Sequence, residues 1–169
     1  MNSPKAPWAI SVKTNRGIFC LEGSGRGLCR VVFPGKRRKV KIMGGDTETA
    51  REFATYFKDP RHRFKIKPDL SSCTLFEKKV YRALRRVPAG KVLSYGELAK
   101  RAGYPGAARA VGSAMKKNRL PIVIPCHRVI PSAGGFGEYS AGKKWKRWLL
   151  EYEKRDSSLG TRDSRKTGS

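Results

Sequence analysis

One stretch holds residue types that could do chemistry: Pro121-Ile-Val-Ile-Pro-Cys-His-Arg-Val-Ile-Pro131. A cysteine, a histidine and an arginine stand in direct succession between short apolar runs. Runs such as Ile122–Ile124 are normally interior. A polar triplet set between them needs partners, because burying an unpaired polar group is costly. Cys126 is a candidate nucleophile and His127 a candidate base. The thiolate, not the thiol, is the reactive form, and a thiol with its reference pKa of ~8.5 is mostly protonated at neutral pH. Neighbouring side chains diverge on helix and strand alike. Direct Cys126–His127 contact is therefore not expected, and a bridging water is the natural link. The bland reading of the same residues is an inert packed thiol and a satisfied core histidine.

The rest of the chain has to position that stretch and bring it a substrate. Charge says which kind. Lys and Arg number 38 against 13 Asp and Glu, a net charge of +25. Such a surplus attracts a polyanion and makes binding salt-sensitive. Nucleic acid is the favoured partner. Thermophilic surfaces usually mix both signs, so heat adaptation alone does not account for it. The absence of Gln and the presence of only Asn2, Asn15 and Asn118 fit a heat-adapted source. No apolar run approaches the ~20 residues of a membrane span. The start, MNSPKAPWAISVK, lacks the apolar core of a signal peptide. An intracellular soluble protein is expected, cytoplasmic, or nuclear in a eukaryote.

The four cysteines, Cys20, Cys29, Cys73 and Cys126, form no Cys-x-x-Cys pair, and His62 and His127 are the only histidines. No structural zinc spacing results. Cys20 and Cys29 flank Gly23-Ser-Gly-Arg-Gly27. They would either face each other across a hairpin or be two small buried residues.

Residues 7–33 read as strands around that Gly-rich turn. The basic run Lys36–Lys41 is either a DNA-facing patch or a charged edge. Asp46 or Thr47 would cap a helix over 48–58, with Ala50, Phe53, Ala54 and Phe57 on one face. Residues 1–60 then make a small α+β domain, and 61–72, rich in charge and holding Pro68, read as a linker. The second domain, 73–153, opens with a helix near 73–87 whose apolar face carries Leu75, Phe76, Val80, Leu84 and Val87. Ser94 and Glu97 form a capping box. A helix follows, then the turn Gly103–Gly106, then a helix over 107–117. This is a helix-turn-helix pattern. The second helix is slim: Ala107, Ala108, Ala110, Gly112, Ser113 and Ala114 are all small, which suits a minor groove only ~6 Å wide. Arg109 stands among them, long enough to enter a base stack. The alternative is close helix packing. Ser132–Gly142 is a Gly/Ser loop able to wrap a ligand. A helix over 143–153 turns Trp145, Trp148 and Leu149 inward. Residues 154–169 read as a polar tail.

Ile124-Pro-Cys-His-Arg-Val-Ile resembles the active-site signature of the O6-alkylguanine-DNA alkyltransferases. Lys91-Val-Leu-Ser-Tyr-Gly-Glu-Leu-Ala, Ala107-Ala-Arg-Ala-Val-Gly, Met115 with Asn118, Tyr139-Ser140 and Trp148-Leu-Leu followed by Glu153 fall in that family's order. The resemblance covers 73–153 and implies an α+β protein with an RNase H-like N-terminal domain and a mostly helical catalytic domain. It implies direct-reversal repair in a single turnover: a monomer binds double-stranded DNA, and the alkyl group on O6 of guanine, or O4 of thymine, moves onto Cys126. It further implies that Asn118, His127 and Glu153 form a relay, and that Glu153 would stabilise the His127 cation. Tyr95 and Arg109 would flip the base, Tyr95 also donating a proton. The carbonyls of Cys126 and Val129 would bind guanine N2, and Tyr139-Ser140 would close over it. Ala107, Ala108, Ala110 and Met115 would line the DNA-facing helix. Arg128 would serve as a structural or phosphate ligand. No cofactor and no metal are implied, since the Cys/His set that binds zinc in some members is missing. The competing readings are a lesion-binding module without transfer, a helix-turn-helix regulator, and a Cys-His hydrolase. The first conflicts with the presence of Cys126.

Overall fold

The computed structural model describes residues 8–35 and 47–155. The basic run 36–41, the capping position Asp46 and the tail from 156 lie outside them.

Three antiparallel strands come first: β1 (Trp8–Thr14), β2 (Gly17–Ser24) and β3 (Gly27–Val32), paired in the order β1-β2-β3. The register sets Val12 opposite Phe19 and Leu21 opposite Val31 on one buried face, and Ala9 and Leu28 are buried as well. α1 (Thr47–Tyr56) covers that face with Phe53 and Tyr56. Cys20 pairs with Val32 and Glu22 with Arg30, so Cys29 falls at the register shift after Glu22 and does not face Cys20. Neither thiol is in a disulfide and both are half-buried, so neither a Cys20–Cys29 bridge nor full burial holds.

The stretch expected to be a slack linker is pinned. Leu28 donates its amide to the Lys67 carbonyl at 2.9 Å, and Asp69 donates to the Leu28 carbonyl at 2.8 Å. Gly27 permits this approach, with φ +143° and a virtual Cβ only 2.3 Å from the Lys67 oxygen. Arg85 adds bonds to the carbonyls of Phe64 and Ile66.

α2 (Leu75–Arg85) starts at Thr74, whose side chain forms a capping box with Glu77. Val80, Tyr81 and Leu84 are buried, whereas Leu75, expected inward, is 66% exposed in the first turn. α3 (Tyr95–Arg101) begins at the Ser94–Glu97 capping box. α4 (Ala108–Lys117) follows after a short turn and packs on α2 through the Tyr81 hydroxyl, which donates to the Ala114 carbonyl at 2.8 Å. Two residue pairs then set the site: β4 (Leu93–Ser94) runs parallel to β5 (Val129–Ile130), Leu93 opposite Val129. That short ladder holds the start of α3, and with it Tyr95, beside the Cys126 segment.

α5 (Lys143–Arg155) packs back on the first sheet. Trp145 lies 5.7 Å from Phe19 and 4.8 Å from Phe33 between ring centres, and Trp148 stacks on Phe57. Both tryptophans remain partly exposed, and Leu149 is the fully buried member of the trio. The core is continuous from the sheet to α4. The result is a mixed α and β fold. Among the described residues, no helix is long and apolar enough to cross a membrane.

Candidate active site

Prolines frame the site. After α4 the chain runs through Asn118 into 120–125, where Ile122 takes φ +75°, a left-handed conformation rare for a β-branched residue. Such strain persists only where the surroundings fix it. The Asn118 side chain does much of the fixing. Its Oδ1 accepts from the Leu120 amide at 2.9 Å, and its Nδ2 donates to the Ile124 carbonyl at 2.9 Å and to Cys126 Sγ at 3.1 Å. From the sheet side, the Val31 amide donates to the Arg119 carbonyl.

Cys126–Arg128 form a single 3-10 turn. With three residues per turn, consecutive side chains leave in well-separated directions. Cys126 faces a cleft, while His127 and Arg128 turn inward to Glu153. Burial pushes the Cys126 thiol up to about 11, against the Asn118 hydrogen bond and the nearby Lys146 charge, which both lower it. The free thiol is therefore protonated near neutrality, and reaction requires a base.

His127 is fully buried, with Nε2 2.7 Å from Glu153 Oε1. Burial would raise the Glu153 carboxyl, but His127 and Arg128 overcome it and hold the group well below the usual range. An ionised carboxylate only accepts hydrogen bonds, so Nε2 carries the proton and Nδ1 presents a lone pair. Nδ1 meets no hydrogen-bond partner among the described residues. Burial, first, lowers His127, which keeps the ring neutral and able to take a proton.

Of its two expected roles, structural or phosphate ligand, Arg128 is placed for the structural one. Its guanidinium is interior, bonded to Glu153 Oε2 at 3.0 Å and Oε1 at 2.8 Å and to the Val87 carbonyl. It is a buried brace. Val129 is likewise buried. Its carbonyl already accepts from Lys146 Nζ at 2.7 Å, and the Cys126 carbonyl accepts from the Val129 amide. Each keeps a second lone pair.

The cleft over Cys126, about 940 Å³, is bounded by Tyr95, Ala108, Arg109, Met115, Glu138, Tyr139 and Ser140. Burial raises the Tyr95 phenol, aided by the charges of Cys126 and Glu138, so it stays a proton donor. The Tyr139 hydroxyl is buried beside the Cys126 thiol, and burial first, then the charge of the Cys126 group, raises it. Arg109 and Ala110 are exposed on the outer side of α4, while Ala107, its N-cap, is half-buried against the core. Met115 is mostly buried at the cleft wall. A second groove of about 1050 Å³, between the sheet and α2–α4, includes neither Cys126 nor His127 and meets the first at Lys116 and Ser140.

Residues 75–155 match the family described as 6-O-methylguanine DNA methyltransferase, DNA binding domain. A Methanosarcina acetivorans methylated-DNA–protein-cysteine methyltransferase is 35% identical over 81% of this chain and 92% of its own length. The chain belongs to this family. The Shigella flexneri member is 42% identical over 65% of this chain, a match that spans only 63% of that relative. The crystal structure of Mycobacterium tuberculosis OGT in complex with DNA matches 87% of this chain and 92% of its own, with 34% identity and a TM-score of 0.76.

Two residues of this methyltransferase-family site went unread in the sequence. Lys146 is fully buried, its Nζ directed at Val129. Tyr56, from α1, donates to Glu153 Oε1 at 2.8 Å. Spacing held both signals. Residues 146, 149, 150 and 153 share a helical face with buried Leu149, Leu150 and Glu153, and 49, 53 and 56 share another.

Proposed function

We propose that this protein repairs alkylated DNA by moving the alkyl group from O6 of guanine, or O4 of thymine, onto Cys126, once per molecule. The observation that carries the reading is the connected set at the cleft floor: Asn118 donating to Cys126 Sγ, and His127, its Nδ1 open, held by ionised Glu153. The thiol proton passes to His127 Nδ1 through a bridging water, and Glu153 stabilises the imidazolium. The thiolate attacks the alkyl carbon. The S–C bond forms as the C–O6 bond breaks, and the electron pair leaves on guanine, which takes a proton from Tyr95. The thioether product offers no easy leaving group, so the protein is consumed.

The surplus of positive charge supports binding to any duplex. The slim N-terminal turn of α4, with Ala107, Ala108 and Ala110, suits a minor groove, and exposed Arg109 can fill the gap left by a flipped base. Tyr139 and Ser140 wall the cleft where the base would sit, and the unused lone pairs of the Cys126 and Val129 carbonyls remain for guanine N2. The protein acts as a monomer without a cofactor.

The test is single-turnover incubation with a duplex carrying O6-methylguanine, followed by intact-mass and peptide analysis. One methyl group on Cys126, in step with lesion loss, is the expected result, with Cys126→Ala inert. Lesion loss with an unmodified Cys126 rejects the reading.

A further inference from the structure

Glu153 is enclosed, at 1% exposure, and its two oxygens receive five donors. Oε2 accepts from Arg128 Nε at 3.0 Å and the Gly90 amide at 3.2 Å. Oε1 accepts from His127 Nε2 at 2.7 Å, Arg128 at 2.8 Å and Tyr56 Oη at 2.8 Å. Four of those bonds come from the segments that build the reactive turn and its support. The fifth comes from α1, in the half of the chain that, among the described residues, supplies none to the cleft.

We propose that Tyr56 is a positioning residue for the Cys126 relay: its phenol fixes Glu153 Oε1 on His127 and, by sharing that oxygen, limits how strongly the carboxylate holds the imidazolium. This rests on the reading of Cys126, His127 and Glu153 as the reactive set.

The placement of Tyr56 is over-determined. Its ring is fully buried and meets Phe57 at 5.4 Å, Phe64 at 5.6 Å and Tyr152 at 5.8 Å between centres, and its carbonyl accepts from the Tyr152 hydroxyl at 3.0 Å. Burial, and then the Glu153 charge, keep the phenol protonated far beyond neutrality, so it is a permanent donor. Oε1 has limited electron density to share among three donors. A neutral donor that takes part of it leaves less for His127. The other charged and titratable groups facing this cluster are Arg128 and Cys126 on the turn, Lys146 and Tyr152 on α5, and Tyr139 from the cleft loop. Of these only Arg128 joins His127 and Tyr56 in bonding to Oε1 among the described residues. Through the Tyr56 hydroxyl the N-terminal half thereby touches the Glu153 carboxylate directly.

Loss of the phenol hydroxyl concentrates charge on Oε1, stabilises the His127 cation and moves its titration to higher pH. A protonated His127 cannot take the thiol proton, so the acid limb of the transfer rate moves up too.

The experiment compares wild type with Tyr56→Phe, which keeps the ring and the carbonyl that Tyr152 uses. Imidazole titration by NMR on DNA-free protein is simple to assign, because His62 and His127 are the only histidines. The His127 midpoint should rise in Tyr56→Phe and stay put in Tyr152→Phe. The single-turnover rate should fall about three- to tenfold on the acid side, the worth of one hydrogen bond, and approach wild type at higher pH. An unmoved midpoint, or a rate loss equal at all pH values, overturns the proposal. Should Tyr56→Phe not fold, 3-fluorotyrosine placed at position 56 strengthens the donor and must shift His127 downward; no shift overturns the proposal equally. Failure of wild type to form any Cys126 adduct refutes the repair reading instead, and is seen in a separate assay.

Discussion

Asn118 Nδ2 lies 3.1 Å from Cys126 Sγ and 2.9 Å from the Ile124 carbonyl, so one amide both braces the strained loop and points a donor at the thiol. A donor at sulfur favours the thiolate. Asn118→Ala removes that donor and leaves the Leu120 amide and the Ile124 carbonyl short of a partner. The stability loss should be about 2–3 kcal/mol by chemical denaturation. The thiol should ionise at higher pH than in wild type, read from thiolate absorbance against a Cys126→Ala background. Transfer should slow at least about tenfold, one hydrogen bond to a charged group. An unchanged thiol titration would show that the donor does not act on sulfur.

Glu153 ties stability to pH. Its folded pKa lies well below that of an unfolded glutamate, ~4.3. A carboxyl so depressed contributes its full stabilisation above the unfolded value and loses it as pH falls toward the folded one. Asp69, Glu77 and Glu97 are lowered too and share in the acid loss. The informative quantity is therefore the difference from Glu153→Gln. That variant should be less stable than wild type at neutral pH by about 3–5 kcal/mol, since Arg128 loses its counter-charge. The gap should start to narrow below about pH 4 and keep narrowing as the pH falls toward the folded value. A gap that stays constant from pH 7 to pH 3 is the contrary outcome.

Local rules carried much of the fold into view. Ser94–Glu97 reads as a capping box and is one, and the 3.6-residue spacing around Val80 and Leu84 marks a buried helical face. The reactive turn was legible because Cys-His-Arg between apolar runs demands partners. What escaped was long-range. The Arg128 ligand, Glu153, lies 25 residues away, and the Tyr56–Glu153 bond spans 97. Nothing local to Arg128 says whether its charge meets a phosphate or a buried carboxylate. The pinning of Lys67 and Asp69 to Leu28 was hidden for a related reason. Proline and charge argue against a strand, but a bridge at a sheet edge needs only two backbone groups.

Gly137 sits in the cleft loop at φ +64°. A Cβ there would stand 3.2 Å from the Pro131 ring and 3.4 Å from the Tyr95 hydroxyl. The loop then has to back away from Pro131 or press on the residue proposed to protonate the leaving base. Gly137→Ala should cost about 1 kcal/mol of stability from its left-handed backbone. It should slow transfer, and more for a bulky O6 substituent than for methyl, because both share the narrowed cleft. Equal slowing of methyl and benzyl substrates would place the effect on loop dynamics and not on cleft width.

Arg109 and Arg128 make opposite predictions from the same side chain. Arg109 is exposed beside the cleft, whereas Arg128 is bidentate on buried Glu153. Arg109→Ala should leave stability within about 0.5 kcal/mol of wild type. It should still bind undamaged duplex with almost unchanged salt dependence, yet lose most of its transfer rate, because the vacated stack has no occupant. Arg128→Lys keeps the charge but not the paired geometry. It should lose about 2 kcal/mol or more of stability, at the low end for a broken buried pair. Its affinity for undamaged duplex should match wild type, measured by anisotropy across a salt series. A fall in duplex affinity for Arg128→Lys, with stability unchanged, would favour the phosphate role over the structural one, the two readings the sequence left open.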